Sequence, residues 1–151
     1  QFQAMTTRVG RLAAEWALNP GQIICVQAGV GSVTKQVHYT ASDAHLHGGR
    51  FGGETDQSIK RQIYALDDYL GDAPVTFLKV DVEGMDFDVL IGAQKIIQTW
   101  RPKLALSVYH EPEHLFSLAE FVRQLLPEYQ MALRHHSSLL METVLYCWIE
   151  F

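Results

Sequence analysis

Apolar and polar positions fall in blocks along this chain, and the period changes from one block to the next. Residues 5 to 18 place Met5, Val9, Leu12, Ala13, Trp16 and Ala17 at steps of three and four, the spacing of a helix with one apolar face. Asn19-Pro20-Gly21 ends it, because proline cannot continue a helix and glycine suits the turn beyond. The apolar run Ile23-Ile24-Cys25-Val26 predicts a strand, and the small residues Ala28-Gly29-Val30-Gly31-Ser32 predict a turn after it. Val33 to Thr40 predicts a second strand, an outer one by its Thr, Lys, Gln and His content. Residues 41 to 58 carry no period and include Gly48-Gly49 and Gly52-Gly53, so they read as a long loop.

The pattern sharpens from Ile59 onward. Ile59 to Tyr64 is strand-like, and Leu66 to Leu70 makes a short helical turn before Gly71. Val75 to Val82 predicts a buried strand. Phe87, Leu90, Ile91, Lys95, Ile96 and Ile97 outline a single amphipathic helix, with Asp86 and Asp88 favourable to its first turn. Arg101-Pro102 stops it. Leu104 to Tyr109 is a second buried strand, a helix runs from about Glu113 to Leu126, and Tyr129–Leu133 and Glu142–Ile149 close the chain as an antiparallel pair. Parallel strands joined by crossover helices, with a hairpin at the end, predict an α/β layered fold.

Two carboxylates stand where the Val75–Val82 strand should finish. Asp81 and Glu83 are two apart, so on a strand they share a face, and Gly84 provides the turn beside them. In open α/β sheets ligands bind outside the carboxyl ends of the strands, and acids left there are costly to desolvate unless they hold something. An acidic cap on the following helix explains the same residues equally well. Lys79 shares the strand face with Asp81 and is placed to orient it through an ion pair. The next parallel strand delivers His110 to the same edge. The turn at residues 28 to 32 either approaches a flat ligand closely or is only a turn. His45 and His47 have no third or fourth ligand at useful spacing and read as loop histidines; Asp81 and Glu83 with His110 suffice to sketch a divalent-ion site, but no metal is expected.

Composition narrows the setting. With 151 residues, 48% hydrophobic and 19% charged, the chain has room for one folded domain with one sizeable core. Its formal net charge of −5 gives no electrostatic attraction to nucleic acid or to an anionic membrane, and neither is expected as a partner. Cys25 and Cys147 lie in apolar runs without metal-ligand spacing, as expected of reduced buried thiols, and a cytoplasmic location is the matching expectation.

Five blocks of residues carry a resemblance. Ala65-Leu66-Asp67-Asp68-Tyr69, Leu78-Lys79-Val80-Asp81-Val82-Glu83-Gly84, Val89-Leu90-Ile91-Gly92-Ala93, Arg101-Pro102 with Ser107-Val108-Tyr109-His110-Glu111-Pro112-Glu113, and Leu133-Arg134-His135-His136 with Glu142-Thr143-Val144-Leu145-Tyr146 occur in this order. Together they resemble the FkbM family of S-adenosylmethionine-dependent methyltransferases, from about residue 20 to 149. The resemblance implies a class I, Rossmann-like methyltransferase sheet ending in an antiparallel hairpin. It also implies methyl transfer from S-adenosylmethionine to a hydroxyl of a sugar or secondary metabolite. It makes Asp81, Glu83 and His110 catalytic candidates, and Ala28, Gly29, Val30 and Asp81 cofactor-binding candidates. Gly84, His135 and His136 become substrate-binding candidates.

The family's glycine-rich cofactor loop and ribose-binding acid have no counterpart in these residues. The expectation is therefore a single domain over residues 1–151, truncated at its N-terminus and lacking its first two strands. Such a domain would pack against the absent segment or form a homo-oligomer. Two other functions stay open on sequence: a non-catalytic remnant used for interaction, and another Rossmann-like enzyme that binds a nucleotide-linked substrate.

Overall fold

The computed structural model describes residues 2–19, 21–41, 49–52, 59–139 and 141–150. Helix α1 spans Phe2–Glu15 and buries none of its residues. Strand β1 (Gly29–Val30) runs parallel to β4 (Ile59–Tyr64), and β4 pairs antiparallel with β2 (Lys35–Ala41), which pairs antiparallel with β3 (Gly49–Gly52). After β4 come α2 (Leu66–Leu70), β5 (Phe77–Val80), α3 (Asp86–Ile91), α4 (Gln94–Trp100) and β6 (Lys103–Ser107). Helix α5 (His114–Leu125) then leads into β7 (Gln130–His135) and β8 (Thr143–Trp148). The described strands form two four-stranded sheets, ordered β1-β4-β2-β3 and β5-β6-β8-β7.

The second sheet follows the pattern read from the sequence. β5 and β6 are parallel, with Val80 opposite Leu106, and β8 joins antiparallel to both β6 and β7. Alternation puts Val80, Leu104, Leu106, Leu145 and Cys147 on one face, where they pack with Val89, Leu90 and Ile97 and with Leu118 and Val122 of α5. Burial raises the Cys147 thiol to about 12, so it stays protonated within this core. Cys25, by contrast, lies outside any described strand and is only half-buried.

Several expectations need correction. Ile23–Val26 is not a strand: ladder pairing begins only at Gly29, and Ile23, Ile24 and Val26 are exposed. Lys35–Ala41 is an inner strand, because Gly49–Gly52, read from sequence as loop, pairs along its outer side. Two glycines in four residues hid that strand from a propensity argument. His45 and His47 lie outside the described residues. The β5 strand is an edge strand and is not buried throughout, since Phe77 remains 55% exposed.

The single helix expected after Gly84 is two helices, and the break has a physical cause. At Gly92 the chain presses against the preceding layer, so that an added Cβ would overlap the carbonyl of Gly31 and lie 3.2 Å from the Ala65 Cα. The Gly92 carbonyl accepts a hydrogen bond from the Asp67 amide at 2.8 Å. The Asp67 carboxylate then accepts from the amides of Lys95 (3.0 Å) and Ile96 (2.9 Å), starting α4 from a residue of α2. Replacing Asp67 with alanine leaves both amides without this acceptor and is expected to cost about 1–3 kcal/mol. A thermal melt of Asp67→Ala matching wild type would show that water caps the helix as well.

Candidate active site

The carboxyl ends of β5 and β6 lie side by side, and the chain leaving each one brings polar groups into a shared cleft. Beyond β5, Asp81 is followed by a tight turn in which Glu83 (φ 53°) and Gly84 (φ 97°) both take positive φ. Glycine adopts this conformation freely, whereas for Glu83 it is a strained choice that the surroundings must hold. Asp86 does the holding. Its side chain is 0% exposed, and its carboxylate accepts from the Val82 amide and the Gly84 amide, each at 3.2 Å.

Beyond β6, His110 enters the same turn from the other side. Its Nδ1 lies 2.8 Å from the Asp86 carboxylate. Its side chain is only 6% exposed, and its Nε2 makes no hydrogen bond, with the Asp81 carboxylate 3.5 Å and the Glu83 carboxylate 3.8 Å away. The Tyr109 ring packs against the imidazole with centroids 4.3 Å apart. His114, at the start of α5, brings a second buried imidazole 3.8 Å from Asp86.

Asp81 sits in a different environment. Partial burial pushes its carboxyl up, but hydrogen bonds from Lys79, Tyr109 and Ser107 and the charge of Lys79 outweigh this, holding it below the usual aspartate value. The Lys79 ammonium is 2.6 Å away and the Tyr109 hydroxyl donates at 3.0 Å. Burial, the bond to Asp81 and the charges of Asp81 and Glu142 push the Tyr109 phenol up to about 12, so it remains a donor. The cleft therefore combines an ionised, clamped carboxylate with a buried imidazole nitrogen that lacks a partner. Glu83, 73% exposed, forms its outer lip.

A model of the methyltransferase FkbM domain matches residues 11–133. The chain belongs to the FkbM methyltransferase family. A solved structure of methyltransferase FkbM from Methylobacillus flagellatus KT superposes with a TM-score of 0.74 at 29% identity, covering 98% of this chain. The chain spans 34% of that protein's length. No curated protein matches it significantly.

Within this methyltransferase domain, the sequence-predicted residues separate into groups. Asp81, Glu83, Gly84 and His110 converge, and the expected ion pair between Lys79 and Asp81 is present. His135 and His136 lie at the same edge but two strands from β6, each on a local partner: His135 with Thr143 at 2.8 Å and His136 with the Tyr146 hydroxyl at 2.9 Å. Gly29 and Val30 are in β1, where Gly29 faces the Ile63 side chain, and Ala28 precedes them. A cavity of about 150 Å³ opens just beyond, lined by Gly31, Ser32, Lys35, Ile63, Met85 and Asp88 among others. Its lining includes Met85 and Asp88 but not Asp81, Glu83 or His110.

Asp86 stands in the first turn of α3 as expected, but its buried role was missed by sequence reasoning. An acid in the first turn of a helix reads as a dipole partner facing water. The available signal was its position two residues after Gly84, the reach of a side chain bonding back to its own turn. Among the described residues no group of three or more His, Cys, Asp or Glu side chains is arranged to hold a metal ion. No described helix is long and apolar enough to cross a membrane.

Proposed function

We propose that this domain takes part in S-adenosylmethionine-dependent methylation of a hydroxyl group on a small molecule such as a sugar or secondary metabolite. The observation that carries the reading is the buried His110 Nε2, which makes no hydrogen bond and lies 3.5 Å from the Asp81 carboxylate and 3.8 Å from that of Glu83. A hydroxyl oxygen attacking a methyl group must lose its proton, and a neutral imidazole is suited to take it near neutral pH. When bound, S-adenosylmethionine would supply an electrophilic methyl on a sulfonium and leave as the neutral thioether.

In this reading His110 accepts the acceptor's proton at Nε2. Asp81, kept ionised, orients the hydroxyl or favours the imidazolium, and Glu83 and Gly84 form the acceptor side of the cleft. His135 and His136 extend the same edge toward the distal part of the acceptor.

One cavity supports placing one end of the cofactor beside β1. The cavity of about 150 Å³ beside Gly31 and Met85 has room for only part of such a molecule. Ala28, Gly29 and Val30 lead into its wall. The remainder of the cofactor would lie outside this cavity; among the described residues β1 and β5 are edge strands of their sheets.

Titration of the 151-residue chain with S-adenosylhomocysteine, followed by amide chemical shifts, tests this reading. Perturbations are expected at Gly31, Ser32, Met85 and Asp88, saturating only near millimolar ligand (about −4 kcal/mol). Unmoved amides at millimolar ligand would remove the cofactor reading. Micromolar binding would show that the chain holds the whole cofactor by itself.

A further inference from the structure

Asp86 is fully buried, yet the turn after β5 and the His110 ring both converge on it, and His114 Nδ1 lies 3.8 Å away. One carboxylate oxygen takes the Val82 amide, and the other takes the Gly84 amide and faces His110 Nδ1 at 2.8 Å. With both backbone amides donating, and at 0% exposure, the carboxylate is a pure acceptor. The imidazole can meet it only by carrying a proton on Nδ1. A neutral ring with its proton there has a bare lone pair on Nε2, the nitrogen that opens toward Asp81 and Glu83.

We infer that Asp86 is a positioning residue for methyl transfer, fixing His110 in the Nδ1–H tautomer so that Nε2 is always the proton acceptor. This rests on the hydroxyl-methylation reading above. As the acceptor oxygen forms its bond to the methyl carbon and the sulfur–methyl bond breaks, the hydroxyl proton passes to Nε2. The ring becomes an imidazolium, and the Asp86 carboxylate group, 2.8 Å from Nδ1, accepts its hydrogen bond. The same carboxylate holds the turn that carries Glu83, so tautomer and turn are set together. Without Asp86 the balance reverses. The carboxylates at 3.5 and 3.8 Å would then draw the single ring proton to Nε2, leaving no base facing the acceptor.

The test is the ¹⁵N spectrum of His110 at a pH where the ring is neutral. Wild type should show a protonated, pyrrole-like Nδ1 and a pyridine-like Nε2. Asp86→Ala, which admits water to the two backbone amides, should invert the pattern, whereas Asp81→Asn should leave it as in wild type. A wild-type ring protonated on Nε2 overturns the inference without any variant, so it stays falsifiable even if Asp86→Ala does not fold. An inversion produced by Asp81→Asn and not by Asp86→Ala overturns it equally. The tautomer is read without cofactor or acceptor, so its outcome is separate from the S-adenosylhomocysteine titration that judges the reaction itself.

Discussion

Replacing His110 with alanine is expected to lower methyl-transfer turnover by about 10²-fold or more, with the KM for cofactor nearly unchanged. The ring lies at the junction of β5 and β6, and its neighbours are poor substitutes. Asp81 is held below the usual aspartate value by Lys79, Tyr109 and Ser107, which makes it a weak base. The Glu83 side chain is 73% exposed and stands 3.8 Å from Nε2, at the outer side of the site. Asp86 keeps its two backbone donors when the imidazole is gone, so the turn should survive and the loss should appear in kcat. Steady-state kinetics on a methyl-transfer-competent enzyme containing this domain, with a melt alongside, is the measurement. Turnover equal to wild type would make His110 structural and move the search for a base to Asp81, Glu83 or His135.

The second large effect is on stability. Gly92→Ala adds a methyl group where the Gly31 carbonyl and the Ala65 Cα already stand. Neither obstacle is a flexible side chain, and Gly31 is itself buried against Ile63, so the layers must part to make room. Overpacking of this kind costs about 1–3 kcal/mol, or roughly 3–10 °C in melting temperature for a domain of this size. Separating the layers would also widen the cavity beside Gly31 and Met85. Denaturation of Gly92→Ala by heat and by urea should show the loss. A variant within about 0.5 kcal/mol of wild type would mean that the junction of α3 and α4 yields easily.

The parts of the fold that could be read directly were those whose signal is local and repetitive. β6, β8 and α5 follow the apolar periods because each buries residues in the same core, whereas β7 was legible only as the partner of β8 and stays largely exposed. Asp81 and His110 were legible as strand-end polar residues, and their meeting follows from β5 and β6 being parallel neighbours. The features that escaped depend on contacts distant in sequence. Gly92 looks like an ordinary residue within a helical period until Gly31 is set against it. Ile23–Val26 has strand composition, but composition does not supply a neighbouring strand to pair with. Asp86 carries the charge expected of a helix start, and only its burial between the Gly84 turn and His110 gives it a different task.

The hydrogen bonds from Asp67 to the α3–α4 junction have a consequence for the cleft. Asp67 meets Gly92, Lys95 and Ile96, the last two lying 28 and 29 residues further along. Everything between, including β5 and the Asp81–Asp86 turn, is therefore a closed loop fastened at its neck without a covalent bond. The entropy of closing such a loop depends only weakly on its length, each doubling adding about 0.6 kcal/mol. Extra residues inserted at the exposed stretch 72–74 should thus be tolerated far better than any change at the neck. The acids of the cleft are kept in register partly by a clasp that never touches them.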